Sequence, residues 1–267
     1  MLEFQTERIA PGVTRIHAFH TERMYLVEGS ERAALIDTGS GFGHLRAAVE
    51  ALTSKPVIVL LTHGHGDHAM GAGEFDTVYL NHRDDEIYRR HGQEAFRRDD
   101  VRDVPELAGM AADEYIAAVP CERFRRLADG MRFDLGGVSV EACACPGHTP
   151  GMMAMLIPER RILLAGDACN SLTFLFDDDA STLSEYARNL AALKARTDGR
   201  YDRVLSSHGC GESVPGLIDE MILLCADVRA GRTLALPFVF KGVHGLVARE
   251  IDFLAGHANL VYNGGRL

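Results

Sequence analysis

Val57-Ile58-Val59-Leu60-Leu61-Thr62-His63-Gly64-His65-Gly66-Asp67-His68 is the stretch on which the reading of this chain turns. Its first five residues form a short apolar run of the kind that makes a buried strand. The residues that follow crowd four metal-ligating side chains into six positions. In extended backbone, side chains two apart point the same way, so His63 and His65 can grip one cation from one side. Gly64 and Gly66 let the chain turn, and the turn can deliver Asp67 and His68 toward a second cation beside the first. A histidine-rich surface loop is the plainer alternative, but it leaves four donors crowded together with nothing to share.

Outward from this cluster, three more ligand-type residues each stand beside a strand end and a glycine: Pro146-Gly147-His148-Thr149, Ala165-Gly166-Asp167 and Ser206-Ser207-His208-Gly209. Singly these are weak signals, because a lone loop histidine is more often a hydrogen-bonded surface residue. Their spacing assigns them to separate strand-loop units, and loops on a rigid sheet are where such sites are built.

Nine strands are predicted, at Val13–Phe19, Met24–Val27, Ala33–Ile36, Val57–Leu61, Thr77–Leu80, Val138–Ala142, Met153–Ile157, Ile162–Ala165 and Val204–Ser206. Helices are expected over Leu45–Leu52, Asp84–Arg90, Glu106–Ala118, Leu183–Leu193 and Leu217–Val228, the fourth opened by a Thr182/Glu185 capping box. With no repeat, no low-complexity tract and no Ser/Gly/Pro-rich linker, residues 1–267 read as a single domain. A helical insertion is expected at about 82–130, its Arg and Asp pairs, Arg97-Arg98 among them, reading as solvated faces.

The chain's 267 residues suffice for a large core, and 46% hydrophobic with 25% charged residues is the balance of a soluble globular protein. No stretch approaches the roughly 18 apolar residues of a membrane helix. A net charge of −10 disfavours sequence-independent nucleic-acid binding. Glu3, Glu7 and Arg8 interrupt any secretory signal at the start, so a cytoplasmic location is expected. The six cysteines show no CxxC spacing and read as reduced structural thiols.

In order along the chain, His63, His65, Asp67, His68, His148, Asp167 and His208 resemble the ligand set of the metallo-β-lactamase-fold superfamily. The segments Met24–Gly39, Asp129–Gly147 and Leu163–Asp167 are similar to that family's framework as well, so the resemblance covers most of the chain. It implies an α+β fold, a four-layer αββα sandwich of two mixed sheets flanked by helices. It places His63, His65 and His148 on one metal, Asp67, His68 and His208 on a second, and Asp167 between them. The implied cofactors are two divalent ions, zinc first, with iron or manganese also compatible with imidazole and carboxylate ligands. The implied reaction is hydrolysis by a metal-bridging hydroxide, oriented by Asp67, of a small ester, thioester, lactone or phosphodiester. Asp37, at a strand end, is expected to support the metal loop by hydrogen bonds, with a turn-capping role as the alternative.

Departures within the superfamily narrow the branch. Asp167 stands where its β-lactamases carry Cys or Ser, which favours the glyoxalase II-like and lactonase-like branches. Asn170 replaces the lactonases' tyrosine, and the tail lacks a basic glutathione-binding pattern. A redox enzyme of the same fold, resembling the iron-dependent persulfide dioxygenases, is the alternative; a non-catalytic metal module is a third reading. The expected partner is a small-molecule substrate, without nucleic acid or membrane, and a homodimer is left open. The substrate-binding residues are unassigned; Tyr88, Tyr115, Phe174 and Phe176 could form an apolar wall or simply fill the core. His17, His20, His44, His82, His91, His244 and His257 read as surface or structural residues, and Cys169 and Cys210 as packing. Asp177-Asp178-Asp179 lacks the spacing of a calcium loop.

Overall fold

A computed structural model of the chain describes residues 2–19, 21–107 and 110–267. They form two compact units, divided after Val140. The first holds a mixed sheet and the second a mixed sheet and a smaller one, each with helices beside it, an α+β architecture. Among the described residues no helix is long and apolar enough to cross a membrane.

The first unit holds β1 (Gln5–Ala10), β2 (Val13–His17), β3 (Arg23–Glu28), β4 (Ala33–Ile36), β5 (Val57–Leu60), β6 (Val78–Leu80) and β7 (Arg125–Arg126), in that spatial order. Strands β1 to β4 run antiparallel and β4 to β7 parallel. The central β4 is buried at every residue, the signature of a strand covered on both faces. Helix α1 (Leu45–Leu52) buries Leu45 and Val49 against Leu26, Leu35 and Val59. The parallel register pairs Ile36 with Leu60 and Leu60 with Tyr79, so β4, β5 and β6 end at one edge. Three loops therefore leave the sheet side by side, carrying Asp37, the His63–His68 cluster and Asp84. Parallel strands place their ligand sites at this carboxyl edge.

The charged segment between β6 and β7 carries α3 (Asp85–His91) and α4 (Glu94–Asp100). The predicted helix over Glu106–Ala118 is not formed: Pro105–Leu107 and Ala112–Glu114 are separate 3-10 turns, and residues 108 and 109 lie outside the described set. Glu114 is drawn into tethering instead, its carboxylate accepting from Leu2 N–H at 2.6 Å and Ala111 N–H at 3.0 Å. Nor is Arg97 on a solvated face. It is 2% exposed, donates to the carbonyls of Ile116, Ser40 and Gly41, and lies 4.2 Å over the Tyr115 ring. Charge-assisted bonds to three carbonyls offset the cost of burying the guanidinium, and that burial lowers its pKa from the ordinary value.

Strand β8 (Arg132–Asp134) turns into β9 (Ser139–Ala144), in which the division falls. The second unit continues with β10 (Met153–Ile157), β11 (Ile162–Leu164), β13 (Arg203–Leu205) and β14 (Glu212–Ser213), ordered β14-β13-β11-β10-β9. Strand β10 is antiparallel to both β9 and β11, and β13 is parallel to β11. Strands β9, β11 and β13 thus all end at one edge, and the next residues carry His148, Asp167 and His208. A smaller sheet joins β12 (Thr173–Leu175), β17 (Leu260–Tyr262), β16 (Val243–Val247) and β15 (Leu236–Phe240). Helices α5 (Leu183–Thr197) and α6 (Leu217–Arg229) pack Leu183, Tyr186, Leu190, Met221 and Leu224 into this unit's core. The Thr182/Glu185 capping box that opens α5 is present.

Glu141 on β9 is clamped by Arg196 of α5 and by Arg200 in the turn that follows the helix, each at 2.7 Å. The Arg200 and Arg196 hydrogen bonds hold its carboxyl below its usual 4.5 despite some burial. A folded-state pKa depressed in this way contributes stability above the unfolded value and loses it as pH falls through the folded one. Acid denaturation of a Glu141→Gln variant should therefore be less steep below about pH 4.5 than that of the wild type, with lower stability at pH 7, read by urea titration at each pH.

Candidate metal centre

In the first unit, the loop after β5 presents the HxHxDH cluster and then the short helix α2 (Gly66–Ala69). His63 and His68 are fully buried. His63 Nε2 and His65 Nδ1 face each other at 3.1 Å, and His68 Nε2 lies 3.4 Å from Asp67 Oδ2. Asp37 holds this arrangement. Its carboxylate accepts from the Thr62 N–H at 2.7 Å, from the Thr62 hydroxyl at 2.8 Å and from His68 Nδ1–H at 2.8 Å. With its proton given to Asp37, the Thr62 hydroxyl accepts from His63 Nδ1–H at 3.0 Å. One carboxylate thereby fixes two imidazole tautomers and leaves both Nε2 lone pairs for a cation. Asp37 does this at φ +63°, a left-handed backbone that a residue other than glycine adopts at a cost of about 1–3 kcal/mol. The next residues clasp α2: Thr38 N–H donates to His68 O, and a Cβ at Gly71 would sit 2.4 Å from Thr38 O.

In the second unit, Asp167 Oδ2 is faced by His148 Nε2 at 3.7 Å and by His208 Nε2 at 3.3 Å. His148 Nδ1–H donates to Phe174 O at 2.8 Å, which again leaves Nε2 as the ligand atom. Asn170 Nδ2 reaches Asp167 Oδ1 at 3.4 Å and steadies the other oxygen. Helix α5 braces both loops: Tyr186 O–H donates to Ala168 O, Asn189 donates to Pro146 O, and a Cβ at Gly147 would strike the Tyr186 ring at 2.4 Å.

These donor sets fit divalent cations. Two ligands about 2.0–2.2 Å from one tetrahedral ion lie roughly 3.3–3.6 Å apart, close to the spacings found within each unit. Anchoring the distal imidazole nitrogen on a carboxylate, hydroxyl or carbonyl is the usual support of metal-binding histidine.

Other residues fall elsewhere. His82 bonds Asp85 and His257 bonds Glu220 at exposed positions, while His20 lies outside the described residues. Tyr88 is buried edge-on to Phe124 and Tyr115 lies under Arg97, so both are packing residues. Phe174 and Phe176 cluster with Phe238. The carbonyls of Asp177 and Asp178 receive Arg266. All six cysteines are free thiols; burial pushes Cys145 up to about 12 and Cys169 well above its ordinary value, so neither is a thiolate at neutral pH. The sequence reading missed Asp84, which accepts from Gly64 N–H at 3.0 Å, and His91, which accepts from Gly66 N–H at 3.2 Å. Nothing local marks either one, since their partners are backbone amides 20 and 25 residues earlier.

The family model for the metallo-beta-lactamase superfamily matches residues 20–208, a span containing all seven ligand-type residues. The chain belongs to this superfamily. Its curated relatives include the human acyl-coenzyme A thioesterase MBLAC2, 26% identical over 69% of this chain and 72% of that protein. The atrochrysone carboxyl ACP thioesterase of Aspergillus chevalieri is 26% identical over 92% of this chain and 77% of its own. Among solved structures, a metallo-beta-lactamase from Pontibacter korlensis superposes with a TM-score of 0.63 at 20% identity, covering 84% of this chain and all of the other. A sec-alkylsulfatase from Pseudomonas sp. gives 0.65 at 18%, over 85% of this chain and 42% of that one. These two likenesses show the fold. As a superfamily member with thioesterase-named relatives, the chain is a hydrolase.

Proposed function

We propose that this metallo-β-lactamase superfamily member is a dinuclear metal-dependent hydrolase of acyl thioesters or related small esters. The observation that carries the reading is the placement of one Asp167 oxygen before the Nε2 atoms of both His148 and His208, the disposition of a carboxylate shared by two ligand sets. On this reading His63, His65 and His148 hold one ion, Asp67, His68 and His208 hold the other, and Asp167 serves both. Such ions, when bound, lower the pKa of a water toward about 7 and polarise the scissile carbonyl. The chain's own part is to keep the donors in place: Asp37 and Thr62 hold two imidazoles in one tautomer, Asn170 steadies Asp167, and Asp67 orients the attacking water. The thioester preference rests on the names of the relatives.

The test is a hydrolytic panel of acyl-coenzyme A thioesters, carboxyl esters, lactones and phosphodiesters, run on protein loaded separately with zinc, manganese and iron. Thioester or ester turnover is expected, falling at least about 100-fold on chelation and returning with added metal. Oxygen consumption with a persulfide by iron-loaded protein, with no hydrolysis anywhere in the panel, would overturn the reading in favour of the redox alternative.

A further inference from the structure

His91 ends α3, and nothing in its sequence context marks it for chemistry. Its Nδ1 accepts the Gly66 N–H at 3.2 Å, and its ring stacks on the His65 ring with centroids 4.7 Å apart and planes 13° from parallel. Phe96 covers the His91 ring in turn, at 4.2 Å and 35°. On the other side of His65, the Gly64 N–H is taken by Asp84 Oδ2 at 3.0 Å; a Cβ at Gly64 would sit 2.8 Å from Asp84 O. The stretch from Asp84 to His91 thus captures both glycine amides that flank His65. His63, His68 and His148 are oriented by hydrogen bonds at Nδ1, whereas His65 turns its Nδ1 toward His63 and is braced through its ring face.

We propose that His91 is a positioning residue for His65 and sets the affinity of the ion position that His65 serves, leaving the Asp67/His68 position unaffected. The stack fixes the tilt of the His65 ring, and the Gly66 amide bond fixes the backbone from which that ring projects. His68 has supports of its own, Asp37 at Nδ1 and the Thr38 amide at its carbonyl, and Asp67 Oδ2 faces His68 Nε2, so that position keeps anchors that do not pass through His91. The inference rests on the dinuclear reading above.

It is tested on the full metal-free chain by titrating zinc against a chelating dye, which resolves two dissociation constants, with the visible absorption of the cobalt-loaded protein as a second readout. Loss of a residue that orients a metal ligand typically weakens binding 10–100-fold. The His91→Ala variant should show that loss in one constant and less than about a threefold change in the other. His91→Phe, which keeps a stacking ring but removes the acceptor, should fall between wild type and His91→Ala. Equal shifts in both constants, or no shift in either, overturn the proposal. Should the alanine variant fail to fold, His91→Phe decides by the same criteria. Wild-type protein that binds fewer than two ions overturns the dinuclear reading itself, an outcome distinct from two tight ions that ignore His91.

Discussion

An Asp167→Ala variant should lose thioester or ester turnover by on the order of 10³-fold or more, while its thermal unfolding in chelator stays cooperative. The size of the effect follows from what Asp167 faces. Its Oδ2 faces both His148 and His208, so on the proposed reading its removal disables both ligand sets. The fold should survive because the loop is held by other means. Ala168 O receives the buried Tyr186 hydroxyl, and Ala165 N–H donates to Leu205 O on the neighbouring parallel strand. Asp167→Asn keeps the shape but gives up the negative charge and one acceptor, so it should retain at most a small part of the activity. Wild-type kcat in Asp167→Ala at saturating metal would remove this residue from the site.

Asp37→Ala is expected to act on stability and metal affinity together. Three donors lose their acceptor at once: the Thr62 amide, the Thr62 hydroxyl and His68 Nδ1–H. Stranding buried donors costs about 1–3 kcal/mol each, less than additively when they share one acceptor. The left-handed φ remains strained for alanine, so no relief offsets the loss. A destabilisation of about 3–5 kcal/mol in urea is the expected sum. Asp37→Asn, whose side chain tolerates that backbone, should recover much of the stability. It should not recover the metal affinity, since an amide offers one acceptor oxygen for Thr62 and His68 to share. Stability and affinity recovering in parallel would show that Asp37 acts only as a turn residue.

Much of this was legible in the sequence because it was local. Strand ends beside glycine, with a ligand-type residue next, located every member of the proposed metal set, and all nine expected strands are present within a few residues. Missing from that reading were elements whose pattern is faint. Strand β1 is a solvent-exposed edge with no apolar alternation, and β15 and β16 carry Pro237 and Gly245 in mostly exposed ribbons. Arg97 looked solvated because its neighbours are charged; what buries it is three carbonyls from distant loops that meet only when the chain is folded. His91 is the same case at the site itself. Its ligand-like neighbour lies 26 residues earlier in the chain, and parallel register, invisible in composition, brings the loops after β5 and β6 to one edge.

The most direct test is anomalous diffraction from crystals of the zinc-loaded protein. Two peaks per chain are predicted, one bounded by His63, His65 and His148 and the other by Asp67, His68 and His208, with Asp167 reaching both. A single peak, or zinc bound away from these side chains, would contradict the account.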